Sequence, residues 1–106
     1  MITFTKLQSD ILQKAIDTYG ETAQIDIAIE EMAELTKALI KERREKNISN
    51  KAVVDVCEEI ADVAIMLEQL MMIFDFPLDD DDTSVLDFVK YKINRLENRM
   101  KNKIFS

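Results

Sequence analysis

Two short acidic phrases carry the chemistry of this chain: Glu30-Glu31-Met32-Ala33-Glu34-Leu35 and Glu58-Glu59-Ile60-Ala61-Asp62-Val63. Each sets carboxylates at i, i+1 and i+4, within roughly 100° of one face if the segment is helical. Like charges at that spacing weaken a helix on their own. The second phrase also interrupts an almost wholly apolar stretch, Val53 to Phe74, where an unpaired charge is costly. Glu31 with Glu34, and Glu59 with Asp62, are i,i+3 pairs that can each turn two carboxylates to one point. Two such helices packed antiparallel would bring four carboxylates together around a cation. The chain contains no His, which excludes His ligation and catalytic triads, and all-oxygen ligation selects a hard ion, Mg²⁺ first and Mn²⁺ next. Mg²⁺ recruits phosphates to complete its shell and activates water for attack on phosphorus, so the pattern points to phosphate chemistry. The plainer reading is a pair of solvated acidic faces; it is weakened because the motif occurs twice, each time inside apolar sequence.

The elements that must hold these groups are helices. With 106 residues and one each of Gly and Pro, the chain is read as a single domain, 1–106, rich in helix-forming residues. A first helix is predicted over about Phe4 to Thr18, with Leu7, Ile11, Leu12 and Ala15 on one face and Gly20 as a left-handed cap. Thr22 is the expected cap of a second helix reaching about Lys46, whose closing basic run Lys41-Glu42-Arg43-Arg44 suits the helix dipole better than a substrate role. Ser49 or Asn50 would cap a third helix, apolar nearly all round and ending near Asp75. The tract Asp79 to Asp82 lacks the alternation and Gly of an EF-hand and reads as a solvated connector. Ser84 with Asp87 resembles a capping box opening a fourth helix to about Asn102, striped by Val85, Phe88, Val89, Ile93, Leu96 and Met100. The expected fold is all-α, four helices.

Composition narrows the partners. A net charge of −7 and a pI near 4.6 argue against a nucleic-acid or anionic-membrane surface. The acids inside Val53–Phe74 argue against a membrane helix, and the N-terminus has no apolar signal core, so a cytoplasmic protein is expected. The lone Cys57 is expected to be a buried structural thiol. A chain this short covers its apolar helix faces economically by association with a second copy. Lys90, Asn94 and Arg95 on the fourth helix are candidate phosphate partners, although alone they read as surface residues. Gln24, two turns before Glu31 on the same face, is a candidate for a base or ribose.

Taken together, Glu31-Met32-Ala33-Glu34 and Glu59-Ile60-Ala61-Asp62, joined by a basic, polar connection, resemble the paired acidic motifs of the MazG-like all-α nucleoside triphosphate pyrophosphohydrolases. The apolar Val63 to Leu67, Tyr19-Gly20 with Gln24, and the pair Lys90 and Asn94 extend the likeness over roughly residues 15 to 100. The resemblance implies a helical bundle completed by oligomerisation, as a dimer or dimer of dimers. It implies Mg²⁺-dependent cleavage between the α- and β-phosphates of a nucleoside triphosphate, releasing monophosphate and pyrophosphate. It further implies that Glu31, Glu34, Glu59 and Asp62 hold metal, that Glu30 and Glu58 orient ligands or accept a proton, and that Lys90 and Asn94 meet phosphate or sugar. The chain has no Trp, found around the base in some dCTP-directed relatives. It also lacks the His that follows the second motif in phosphoribosyl-ATP pyrophosphohydrolases, which makes that branch a poorer fit. The competing expectation is a non-enzymatic helical module that senses nucleotide or binds a partner helix.

Overall fold

A computed structural model of the chain describes residues 2–46, 50–75 and 84–105, and among them every regular element is a helix. The order is α1 (Lys6–Tyr19), α2 (Glu21–Arg44), α3 (Lys51–Phe74) and α4 (Val85–Phe105). The expected all-α, four-helix architecture is therefore observed. The chain divides into two compact units, Met1–Ile73 and Phe74–Ser106. No helix among the described residues is long and apolar enough to cross a membrane. The acidic tract Asp79 to Asp82 and the candidate cap Ser49 lie outside the described residues.

In the first unit, α1 opens with a capping box: Thr5 Oγ1 accepts from the Gln8 N–H at 3.1 Å, and Gln8 Oε1 accepts from the Thr5 N–H at 2.9 Å. Gly20 then serves two helices. Its N–H donates to the Ile16 carbonyl at 2.8 Å, closing α1, and its own carbonyl accepts from the Gln24 N–H at 3.2 Å, opening α2. The residue sits at φ 92°, ψ 153°, so the expected positive φ is present but with an extended ψ rather than a left-handed helical one. Because Gly20 already starts α2, Thr22 lies within its first turn and is not the cap; no side-chain cap bond is made there.

The inward positions of α2 follow a three-and-four spacing. Gln24 and Ala28 are buried, and Glu31, Leu35 and Ala38 are half-buried. On α3 the matching seam is Ala52, Val56, Glu59, Val63, Met66 and Gln69, with Asp55 and Asp62 beside it. Glu31 meets Glu59 and Asp62, while Arg44 and Ala52 line one cleft nearer the α2–α3 connection, so the two helices run antiparallel. Ile16 of α1 joins Ala28, Ala52, Val63 and Met66 as the buried apolar core. Gln69 is 2 % exposed and donates from Nε2 to the Leu12 carbonyl at 3.1 Å, tying α3 to α1.

Cys57 corrects an expectation: the thiol is free and exposed, not buried. It is one residue past Val56, which turns it about 100° off the inward seam. An apolar neighbourhood in sequence could not reveal this, because α3 is apolar on several faces. Val53, Ile60, Leu67 and Met71 are likewise between 41 % and 49 % exposed, and with Cys57 they form an outer stripe at three-and-four spacing.

In the second unit, Ser84 caps α4: its Oγ accepts from the Asp87 N–H at 3.2 Å, and its hydroxyl donates to the Asp87 carboxylate at 2.6 Å. Asp75 supplies a further acceptor, taking the Val85 N–H at 2.9 Å. The predicted stripe Val85, Phe88, Val89, Ile93, Leu96 and Met100 is present, and all six side chains are exposed.

Candidate functional site

The inward face shared by α2 and α3 is apolar or amide-bearing except where the acidic phrases meet. Glu31 from α2 and Glu59 and Asp62 from α3 each bring a carboxylate oxygen within 4.8 Å of the other two. All three are half-buried: Glu31 and Glu59 occupy seam positions that a plain helix pair would fill with Leu or Val, and Asp62 lies beside them. Partial burial raises the Glu31 carboxyl above its ordinary value, and the charges of Asp62 and then Glu59 push in the same direction. Oε2 of Glu59 is buried and makes no hydrogen bond. A buried carboxylate oxygen without a donor is unfavourable in water-excluded surroundings and calls for a cation or an ordered water. Three oxygen donors with one orphaned lone-pair face suit a hard divalent ion; Cys57 lies on the outer face of α3 and supplies no soft ligand.

The fourth expected ligand, Glu34, lies elsewhere. It is exposed and contacts Lys37 at 3.8 Å. Three residues past Glu31, it is rotated about 60° from that side chain and reaches the rim of the seam, not its centre. Glu30 is exposed and outside the trio. Glu58 is also exposed but lines the adjoining cleft. Gln24 shares the inward face of α2 with Glu31, as expected, and is 5 % exposed. Lys90, Asn94 and Arg95 belong to α4 in the second unit, where all three are exposed. The Arg95 guanidinium lies 5.7 Å from the centre of the Tyr91 ring, a local cation–π contact.

One feature was not singled out in the sequence. A cleft of about 580 Å³ runs from Glu34 and Glu59 toward the end of α2. Its α2 wall carries Lys37, Lys41 and Arg44, and its α3 wall Asp55, Glu58 and Glu59. The signal was present as the i, i+4, i+7 recurrence of Lys37, Lys41 and Arg44, masked by the basic residues beside them that suit a helix C-terminus. Compared with protein-family models, curated proteins and solved structures, the chain matches none.

Proposed function

We propose that this protein is a Mg²⁺-dependent nucleoside triphosphate pyrophosphohydrolase of the MazG-like, all-α kind. The observation that carries the reading is the meeting of Glu31, Glu59 and Asp62, drawn from two separate acidic phrases, at one half-buried point. In this reading Glu31, Glu59 and Asp62 hold the ion, and Glu34 joins them by a change of rotamer from the rim. A bound Mg²⁺ supplies charge neutralisation at the phosphates and lowers the pKa of water. Glu58 and Glu30 are the remaining carboxylates of the motifs, for orienting ligands or taking a proton from the attacking water. Gln24 faces base or ribose, and Lys90, Asn94 and Arg95 meet phosphate or sugar. The bond broken joins the α-phosphorus to the bridging oxygen of the β-phosphate, so water's oxygen ends on the monophosphate and pyrophosphate leaves.

Association of copies belongs to the same reading. The outer stripe of α3 repeats at the spacing of a helix–helix seam, and a second copy would cover it. The same stripe is what a non-enzymatic module would offer to a partner helix, so turnover separates the two readings. Chromatography of a panel of ribo- and deoxyribonucleoside triphosphates after incubation with protein and Mg²⁺, beside an EDTA control, should yield monophosphate and pyrophosphate. Diphosphate with orthophosphate would refute the bond assignment, and no product from any nucleotide would favour the binding module.

A further inference from the structure

The α2 side of the cleft carries Lys37, Lys41 and Arg44 together with Glu34 and Glu45, the α3 side carries acids without a base, and among the described residues no ion pair joins the two sides. The ion pairs that form run along single helices: Lys6–Asp10, Lys37–Glu34, Lys51–Asp55 and Lys101–Glu97. Lys41 and Arg44 face the cleft from α2, and Asp55, Glu58 and Glu59 face it from α3. A free anion would be repelled by the α3 wall, and a free cation would gain nothing from Lys41 and Arg44. A ligand carrying both signs in fixed order, a phosphate chelated to a divalent cation, satisfies both at once. The volume, about 580 Å³, falls in the range of small-molecule sites. The cleft is also continuous with the carboxylate centre, since Glu59 belongs to both.

We propose that this cleft is a subsite for metal-chelated phosphate, in which Lys37, Lys41 and Arg44 bind the phosphate oxygens while the α3 carboxylates face the cation. The inference deepens the function proposed above and rests on it for the identity of the cation. Along the helix axis Lys37 stands about 9 Å and Lys41 about 15 Å beyond Glu31. With flexible side chains that reach back several ångströms, these groups follow a phosphate chain leading away from the carboxylates. Lys37 engages first, exchanging its long 3.8 Å contact with Glu34 for a phosphate oxygen. That exchange frees Glu34 to turn toward the ion.

The test uses inorganic pyrophosphate with Mg²⁺, titrated calorimetrically into the wild-type chain, a Lys41→Ala/Arg44→Ala variant and Lys41→Gln alone. Lys41 and Arg44 are exposed, so both variants should keep the wild-type circular dichroism. The double variant should bind at least about tenfold more weakly, the single one by a smaller factor. Lys101→Ala, on α4, should bind as the wild type does. Equal affinity in the double variant, no binding by the wild type, or binding as tight in EDTA would each overturn the proposal. Mn²⁺ binding followed by electron paramagnetic resonance judges the carboxylate centre separately. Glu59→Gln should abolish it, and the double variant should retain it. A wild-type chain that binds no Mn²⁺ would overturn the function and, with it, the cation of this subsite.

Discussion

Glu31 on α2 and Asp62 on α3 hold carboxylate oxygens within 4.8 Å of each other. Two acids on facing helices are brought together where the rest of the seam is apolar or amide-bearing. The contact costs the metal-free fold some stability, and a cation bound as proposed would reverse that cost.

Glu31→Gln should therefore stabilise the metal-free protein, by roughly 0.5–1 kcal/mol as expected for relief of a partly exposed like-charge contact. If the proposed function holds, Mg²⁺ should raise the melting temperature of the wild type, and Glu31→Gln should remove most of that rise. Thermal melts with and without EDTA measure both. A variant less stable than wild type in EDTA would show that the trio is held by other forces than a cation.

The pH dependence follows with a definite sign. The Glu31 carboxyl is raised in the folded chain, so between its ordinary value of 4.5 and the raised one the folded state binds more protons than the unfolded state. This contribution to stability is complete below the ordinary value and is lost as pH rises through the raised one. In EDTA the advantage of Glu31→Gln over wild type should thus grow as the pH rises from about 4.5 through the raised value. A constant difference across that range would sink the assignment of the strain to this carboxyl.

Asp62→Asn should reduce turnover of the preferred triphosphate by at least about a hundredfold, because in the proposed reading Asp62 is a metal ligand. Glu34→Gln should retain more activity, as Glu34 starts at the rim of the seam. Steady-state rates with circular dichroism on both variants test the order. Full activity in Asp62→Asn would remove this residue from the mechanism.

At the α1–α2 junction the expected effect is purely conformational. Gly20 has open space where a Cβ would sit, but its φ of 92° is strained for any L side chain. Gly20→Ala should destabilise the chain by about 1–2 kcal/mol without altering metal affinity. A neutral change in urea midpoint would mean that the junction relaxes freely.

The outer stripe of α3 gives a test of association. Leu67, 49 % exposed, should become a solubilising position, so that Leu67→Glu shifts the protein to the monomer in light scattering. An unchanged mass for the variant, or a monomeric wild type, would leave the stripe without a second copy to cover it.

Much of this was legible in the residue order because it depends on local periodicity. Four helices, the positive φ at Gly20 and the Ser84 cap follow from spacing and backbone chemistry within a few residues. The acidic trio was legible for a related reason: charges inside an apolar seam are conspicuous, and i,i+3 spacing assigns Glu59 and Asp62 to one face. Rotation about the helix axis was not legible. Glu31 and Glu34 have the same motif spacing as Glu59 and Asp62, yet one falls in the seam and the other at its rim, since only packing against α3 chooses which turn of α2 faces inward. Cys57 fell outward for the same cause: a helix apolar on several faces has no single inward side until its neighbours select one. The cleft between Lys41 and Glu58 was decided by the tertiary structure, although the basic side of it recurs in the sequence at i, i+4 and i+7 as Lys37, Lys41 and Arg44. Opposite charges at distant positions neither announce a pocket nor forbid one, and only the antiparallel register of α2 and α3 sets them face to face without an ion pair.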